Sequence, residues 1–265
     1  MIKAIAVDMD GTFLDQNSEY NRVRFAQLFE EMIQRGIRFI VASGNQYAQL
    51  RSFFPQQRAA ITFVSENGAL IFQQGQLVAK QTFARDLVQE IINSLVAQAD
   101  LEFILCGVEK AYLLASASEE FKQFAAQYYF ALAEVASFAT LPQDEFVKLA
   151  LNVPVAATKQ IVTELNQQFS GRIKAVASGH GSIDIIIPGV TKGAALQRLL
   201  SQWQLTSDEL LAFGDANNDL EMLALTEHSY AMAESSEEVA AIAKHRAPSH
   251  NEEGVLQIIQ WYLSE

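Results

Sequence analysis

The sequence of 265 residues contains one cysteine, Cys106, so it forms no intrachain disulfide and supplies no cysteine-based zinc site. Only 5 prolines and 13 glycines are present, and they do not cluster into a flexible linker. No apolar run approaches the roughly 18 residues that span a bilayer. The beginning of the chain does not have the layout of a signal peptide. From these absences we expect a soluble, cytoplasmic protein.

The sequence has few basic residues: it contains 19 Lys and Arg residues and 31 Asp and Glu residues, which gives a formal net charge of −12. An acidic surface repels phosphate polyanions, so nucleic acid and anionic membranes are not expected partners. Half of the residues are hydrophobic, which is ample material for packed cores. At roughly 100–200 residues per domain, the length fits one large domain or two modest ones.

Short apolar runs alternate with helical patterns at both ends of the chain. Continuous apolar strands separated by helices are typical of a parallel sheet covered on both faces. The predicted strands of these parts are residues 2–7, 37–42, 61–64, 69–72, 77–80, 210–213 and 229–232. The predicted helices are residues 21–35, 45–54, 191–203, 219–225 and 254–263.

The pattern changes in the middle of the chain. Strands that follow one another without a helix between them indicate a largely antiparallel α+β unit. The predicted strands here are residues 102–106, 111–114, 147–153, 173–178 and 182–187, and the predicted helices are residues 85–99, 118–130 and 155–169. The sequence therefore predicts an α/β core of residues 1–82 and 188–265, with a second domain inserted at 83–187.

Two carboxylates, Asp8 and Asp10, follow the first predicted strand directly. Ligands of open parallel sheets bind beyond the carboxyl ends of the strands. A buried carboxylate at this place is costly unless a cation or hydrogen bonds compensate it, and a pair of them suits a hard divalent cation. Gly11 allows a tight turn, and Thr12 can hold the loop by hydrogen bonding. Taken alone, the same pattern also serves as a turn or a helix cap.

Two further segments suit an anion. Ser43, Gly44 and Asn45 offer a hydroxyl, an accessible backbone N–H and a helix start, although Ser and Asn are also common helix caps. Lys192 lies near the positive end of a predicted helix, which is unfavourable for a cation unless an anion is close by. A solvent-exposed lysine at a helix start is the alternative interpretation.

The last segment, residues 214–219, follows the strand at 210–213 and supplies a second acidic cluster. Asp215 can complete a cation site, while Asn218 and Asp219 can orient their neighbours through hydrogen bonds. A turn followed by a helix cap is the alternative interpretation of this segment.

These four segments, in this order, resemble the four motifs of the haloacid dehalogenase superfamily of phosphatases. The resemblance spans the whole chain and implies a Rossmann-like parallel-sheet core with an inserted α+β cap domain of the C2B type, as in the Cof-type branch. Residues 66–69, Glu-Asn-Gly-Ala, resemble that branch's loop before the cap. Residues 43–47 are similar to those of bacterial sugar-phosphate phosphatases. Many Cof-type members carry arginine where Asn45 stands, so this chain lacks one charge beside the expected phosphate pocket.

The resemblance also implies roles for individual residues. Asp8 becomes the nucleophile that forms an aspartyl-phosphate, and Asp10 the general acid/base. The implied cofactor is Mg²⁺, held by the Asp8 carboxylate, the Asp10 backbone carbonyl and Asp215. Asp219 supports this metal site. The implied substrate- and phosphate-binding residues are Thr12, Ser43, Gly44, Asn45, Lys192 and Asn218.

The function expected from this resemblance is a Mg²⁺-dependent phosphatase for small phosphorylated metabolites, above all sugar phosphates. The inserted domain is expected to set specificity, through the turn at 179–182 or the loop at 106–111. Two alternatives stay open: a phosphomutase or phosphotransferase that passes the group to a sugar hydroxyl, and a non-catalytic phosphosugar-binding protein. The sequence gives no sign of an obligate protein partner.

Overall fold

The structure is a computed structural model that describes residues 1–97, 101–179 and 181–264. The chain divides into two compact units. The first consists of Met1–Gly44, Phe54–Val78 and Thr191–Glu265, and the second of Asn45–Phe53 and Ala79–Val190. In the part of the chain that is described, no helix combines the length and the apolar character needed to traverse a membrane.

Strands and helices alternate along most of the described chain. The strands are β1 (Ala4–Val7), β2 (Arg38–Ala42), β3 (Thr62–Ser65), β4 (Leu70–Gln73), β5 (Gln76–Lys80), β6 (Glu102–Gly107), β7 (Ala111–Leu114), β8 (Leu132–Val135), β9 (Phe146–Asn152), β10 (Lys174–Gly179), β11 (Ser182–Ile186), β12 (Leu210–Gly214), β13 (His228–Ala231) and β14 (His245–Arg246). The α-helices are α1 (Arg22–Gln34), α2 (Tyr47–Phe53), α3 (Arg85–Val96), α4 (Glu119–Tyr128), α5 (Val155–Gln168), α6 (Lys192–Gln202), α7 (Leu220–Leu223), α8 (Glu237–Ile242) and α9 (Gly254–Ser264).

The larger sheet has eight strands in the order β14-β13-β12-β1-β2-β3-β4-β5. From β14 to β3 every neighbouring pair is parallel, whereas β3 and β4 are antiparallel. At the end of β1, Val7 is in register with Val41 on one side and with Phe213 on the other. The loops after β1, β2 and β12 therefore all leave the sheet on the same side, at the carboxyl ends of these parallel strands. The predicted α/β class with a parallel core sheet is confirmed.

Burial explains why the central strands β1 and β12 of this sheet are continuously apolar. All residues of β1, β3 and β12 are buried, as expected for a parallel sheet covered on both faces. Helix α1 begins after Asn21, whose side chain accepts a hydrogen bond from the backbone N–H of Arg24. It packs Phe25 against Phe39 of β2, with ring centroids 5.1 Å apart.

The smaller sheet has six strands in the order β10-β11-β9-β6-β7-β8. All of its pairs are antiparallel except that of β7 and β8, which α4 connects in parallel. One face carries apolar side chains that pack against residues of α3 and α5. These buried strand residues are Phe103, Leu105, Leu149, Leu151, Ile183 and Ile185.

Among the described strands and α-helices, three are absent from the sequence-based prediction, namely β8, α8 and β14. Each is short, and β14 has only two residues, both exposed, so its burial gives no pattern to detect. The helix predicted at 85–99 ends at Val96; residues 98–100 and His180, in the predicted turn at 179–182, lie outside the described residues.

Candidate active site

Three carboxylates of the first unit meet beyond the carboxyl ends of the central strands β1 and β12 of the larger sheet. Asp8 follows β1, and Asp215 and Asp219 follow β12. Carboxylate oxygens from the three side chains all lie within 4.8 Å of one another. Asp8 and Asp219 are buried, and Asp215 is partly buried. The segments after the first strand and after residue 213 are thus brought together, although about 200 residues separate them along the chain.

Lys192 joins two of these carboxylates. Its Nζ donates to Oδ1 of Asp8 over 2.6 Å and to Oδ1 of Asp219 over 2.7 Å, and its side chain is 0% exposed. The residue is the first of α6, which Thr191 caps through its side chain. A cation at the positive end of a helix is unfavourable by itself, and here the two carboxylates compensate it.

Asp219 and Asp215 are both held by hydrogen bonds from the surrounding loops. The second oxygen of Asp219, Oδ2, accepts the backbone N–H of Asp215 over 3.0 Å and that of Ala216 over 3.1 Å. Thr12 donates its hydroxyl to Oδ1 of Asp215 over 2.7 Å. Both oxygens of Asp219 are therefore engaged within the protein, and the hydroxyl of Thr12 is directed at a carboxylate.

Gly11 brings the turn after β1 close to Asp215. Its φ of +75° is in the left-handed region that favours glycine. A Cβ at this position would lie 2.6 Å from Oδ2 of Asp215. Any larger residue would have to adopt a strained backbone and displace the Asp215 carboxylate. Asp10, one residue earlier in the same turn, is exposed.

The proximity of the carboxylates changes their proton affinities. Burial raises the pKa of Asp8 well above its usual value, Lys192 opposes this effect, and the charges of Asp219 and Asp215 add to it. Burial and the charge of Asp219 raise the pKa of Asp215 to about 6, against the hydrogen bond from Thr12. Burial alone would lower the pKa of Lys192, but Asp219 and Asp8 together raise it above its ordinary value.

These shifts describe a site with an excess of negative charge. Three carboxylates against one ammonium leave two negative charges in a largely buried space. A divalent cation with oxygen ligands would compensate them. The donor set therefore fits a hard metal ion, and Asp8 and Asp215 are the carboxylates with the fewest hydrogen bonds from the protein among the three.

The anion-binding segment predicted after β2 is anchored to the loop after β3. Ser43 is buried; its backbone N–H donates to the carbonyl of Val64 over 2.9 Å, and its carbonyl accepts the N–H of Asn67 over 3.0 Å. Asn218, from the loop after β12, donates its Nδ2 to Oδ1 of Asn67 over 3.1 Å. Asn45 begins the first segment of the second unit.

Asn67 is a residue of this site to which the sequence analysis gave no role. The family resemblance extends to the loop that contains it but assigns this side chain no role. The available signal was a run of polar residues, Ser65 to Asn67, after the apolar strand predicted at 61–64, which resembles the polar residues that follow the strands before Asp8 and Asp215. Asn67 is 2% exposed, so its amide is a buried polar group that needs partners.

Comparison with known proteins gives one family. The family model for haloacid dehalogenase-like hydrolases matches residues 5–259. The chain is 42% identical over 262 residues to the 5-amino-6-(5-phospho-D-ribitylamino)uracil phosphatase YbjI of Escherichia coli K12, covering 99% of this chain and 96% of that protein. It is 23% identical to an HMP-PP phosphatase of Cronobacter sakazakii, over 92% of this chain and 89% of the relative.

Solved structures agree with this result. SMU.1108c from Streptococcus mutans UA159 superposes with a TM-score of 0.96 at 41% identity, with 100% of both chains covered. The sugar phosphatase BT4131, described as a member of HAD subclass IIB, gives a TM-score of 0.81 at 18% identity over 98% of both chains. At that identity the likeness shows the fold alone.

Proposed function

Because the chain belongs to the haloacid dehalogenase-like hydrolases, we propose that it is a Mg²⁺-dependent phosphatase for phosphate monoesters of small metabolites. The observation that carries the proposal is the bridge from Lys192 to Asp8 and Asp219 beside Asp215. It combines a carboxylate nucleophile, a cation for the phosphoryl group and a site for a metal ion. The names of the relatives, two of them phosphatases of small phosphorylated compounds, support it.

The metal would be held by the carboxylates of Asp8 and Asp215 and the backbone carbonyl of Asp10. When bound, it would supply positive charge between an anionic nucleophile and a phosphate dianion. Asp219 would not contact the metal directly, because its two oxygens already accept hydrogen bonds from Lys192 and from two backbone N–H groups. It would hold Lys192 and the loop after β12 in place. Thr12 would orient Asp215 through its hydrogen bond.

In the first step, an oxygen of Asp8 attacks phosphorus, and the bond from phosphorus to the leaving oxygen breaks. Asp10 donates a proton to that oxygen, so an alcohol leaves and an aspartyl-phosphate forms on Asp8. In the second step, water attacks the phosphorus while Asp10 accepts its proton. The bond to Asp8 breaks, inorganic phosphate is released, and both carboxyl groups return to their starting states.

The phosphoryl oxygens would be bound by Ser43, Gly44, Lys192 and Asn218. Asn45 would contribute an amide where many relatives carry a charge. We assign the choice of the esterified alcohol to the inserted α+β domain at 83–187. For that alcohol we propose a polyhydroxylated chain, as in a sugar phosphate, which the phosphoribityl group in the name of the 42% identical relative supports.

A panel of phosphorylated metabolites tests the proposal. The purified protein should release inorganic phosphate from sugar and polyol phosphates in Mg²⁺, and activity should disappear in EDTA and in the Asp8→Asn variant. Ca²⁺ should inhibit, because the larger ion tends to take carboxylates in a bidentate manner. Full turnover in EDTA would contradict the metal requirement. Transfer of phosphate to a sugar in place of release would identify a phosphotransferase, and binding without turnover a phosphosugar-binding protein.

A further inference from the structure

The turn Glu66–Gly68 contacts two segments that carry proposed phosphate-binding residues, the loop after β2 and the start of α6. Its Asn67 donates the backbone N–H to the carbonyl of Ser43 over 3.0 Å. A Cβ on Gly68 would lie 2.4 Å from the carbonyl oxygen of Thr191, the residue before Lys192. The turn therefore lies against the backbone of the loop after β2 and against the start of α6.

The backbone of this turn is unusual. Glu66, Asn67 and Gly68 have φ angles of +50°, +57° and +101°, so three successive residues are in the left-handed region. Two of them are not glycine, and such residues persist where the surroundings determine them strongly. Asparagine tolerates this conformation better than most residues. Unlike glycine, it also provides a side chain that can make a specific contact at this position.

The amide of Asn67 makes that contact in two directions. Its Oδ1 accepts the Nδ2 of Asn218 over 3.1 Å. A Cβ placed on Gly44 would lie 3.1 Å from the same Oδ1 and 3.3 Å from Nδ2. The side chain of Asn67 thus occupies the space beside Gly44 and at the same time fixes the amide of Asn218.

The amide of Asn218 keeps hydrogen-bonding capacity beyond this contact. Its Nδ2 carries a second hydrogen, and its Oδ1 is buried and accepts no hydrogen bond from any described residue. Buried polar atoms without partners are uncommon and call for a ligand or water. With one Nδ2 hydrogen held by Asn67, the rotation of the amide is restricted and the second hydrogen has a defined direction.

We propose that Asn67 is a positioning residue for the phosphoryl group, acting through Asn218 and Gly44. The inference rests on the proposed phosphatase function. In the folded protein Asn67 orients the Nδ2 of Asn218 and sets the distance to the backbone of Gly44, so that both present N–H groups to the same phosphoryl oxygens. Asn67 itself binds neither the substrate nor the metal.

A double-mutant cycle with Asn67→Gly and Asn218→Ala tests this role. Glycine keeps the left-handed backbone without strain, and Gln74→Gly is the matched control, since Gln74 has a φ of +51° in an exposed turn. The measurements are inhibition by inorganic phosphate, the KM and kcat for p-nitrophenyl phosphate, and the Mg²⁺ concentration for half-maximal activity.

Each single variant should bind phosphate about tenfold more weakly, as expected for losing a hydrogen bond to a charged group. The loss in the double variant should be smaller than the product of the two single losses, because both changes remove the same oriented Nδ2 donor of Asn218. The Mg²⁺ requirement should stay unchanged. The inference is overturned if Asn67→Gly binds phosphate like the wild type, if the two losses multiply, or if the Mg²⁺ requirement rises in parallel.

If Asn67→Gly does not fold, Asn67→Asp decides the question. Aspartate retains the acceptor and the tolerance for a left-handed backbone, but it places a negative charge beside Gly44. Phosphate should then bind at least about tenfold more weakly; unchanged binding overturns the inference. A wild-type protein that neither releases phosphate nor is inhibited by it contradicts the phosphatase function itself, whereas active wild type with an indistinguishable Asn67 variant contradicts only the role of Asn67.

Discussion

The Nζ of Lys192 lies 2.6 Å from Oδ1 of Asp8, and the lysine side chain is closed to solvent. Breaking a buried pair by removing one partner leaves an uncompensated charge. The side chain that would bind the phosphoryl group is therefore also required to keep the proposed nucleophile ionised. Stability and activity are coupled at this contact.

Replacing Lys192 by Met should lower the free energy of unfolding at pH 8 by roughly 3–5 kcal/mol. Without the ammonium group the pKa of Asp8 rises further, so the folded form binds a proton more tightly than the unfolded form. The stability loss should therefore shrink as the pH falls from 8 to 5. Urea denaturation at both pH values measures this. Lys244→Met, which removes an exposed pair with Glu227, should cause little change; an equal loss in both variants would contradict the prediction.

Asp215 should destabilise the protein in the absence of metal. Its pKa is raised to about 6, so its contribution to stability is most favourable at low pH and is lost as the pH rises through this value. Asp215→Asn should raise the free energy of unfolding of the EDTA-treated protein at pH 7.5 by on the order of 2 kcal/mol, and it should abolish stabilisation by Mg²⁺. Thermal unfolding with EDTA and with Mg²⁺ measures both effects. The exposed Asp208→Asn is the control, and an Asp215 variant that still gains stability from Mg²⁺ would exclude this carboxylate as a ligand.

Replacing Asp10 by Asn should separate the two chemical steps. The amide transfers no proton but keeps the backbone carbonyl. A sugar alkoxide then leaves very slowly, whereas nitrophenolate leaves without protonation. We expect a burst of nitrophenol close to one equivalent per enzyme, followed by slow turnover, because water lacks its base. Rapid-mixing absorbance measures the burst, which adding Asp8→Asn should remove. Turnover of sugar phosphates at the wild-type rate would refute the role of Asp10.

Asp144 should influence which substrates are accepted. In the second unit its carboxylate accepts the N–H groups of Glu109, over 3.1 Å, and Lys110, over 3.2 Å, and the hydroxyl of Tyr112 over 3.0 Å. Asp144→Ala removes these acceptors and loosens the loop before β7, where specificity is expected to lie. The order of kcat/KM values among sugar phosphates should change, with the rate on p-nitrophenyl phosphate within about twofold of wild type. Glu120→Ala, an exposed change in the same unit, is the control. A uniform loss on all substrates would argue against a role in specificity.

The sequence predicted most of the fold because apolar runs and breaks between them are local properties. The β1 and β12 segments are recognisable for this reason, and each is followed by acidic residues, whose cost of burial beside an apolar strand points to a compensating cation. Two of the missed elements show the limit. β8 is partly exposed along its length, and α8 has only six residues, so neither carries the periodicity of a buried face.

Individual contacts in the candidate site could not be predicted from the sequence. The position of Thr12 suggested a phosphate contact, but its hydroxyl is directed at Asp215. The choice between these partners depends on how closely the turn at Gly11 approaches the neighbouring loop, which is a tertiary property. Asn67 and Asn218 are 151 positions apart, and no local pattern predicts that their amides meet.

The central position of β1 in the larger sheet has a consequence for biosynthesis. β1 pairs with β12, whose first residue is synthesised about 200 residues later. Contacts of such long range are slow to form, and on a ribosome that adds roughly 5–20 residues per second the partner strand follows by at least about ten seconds. The nascent chain therefore exposes one edge of β1 until most of the sequence has been translated, and an unpaired strand edge leaves it open to aggregation and to chaperones throughout that interval.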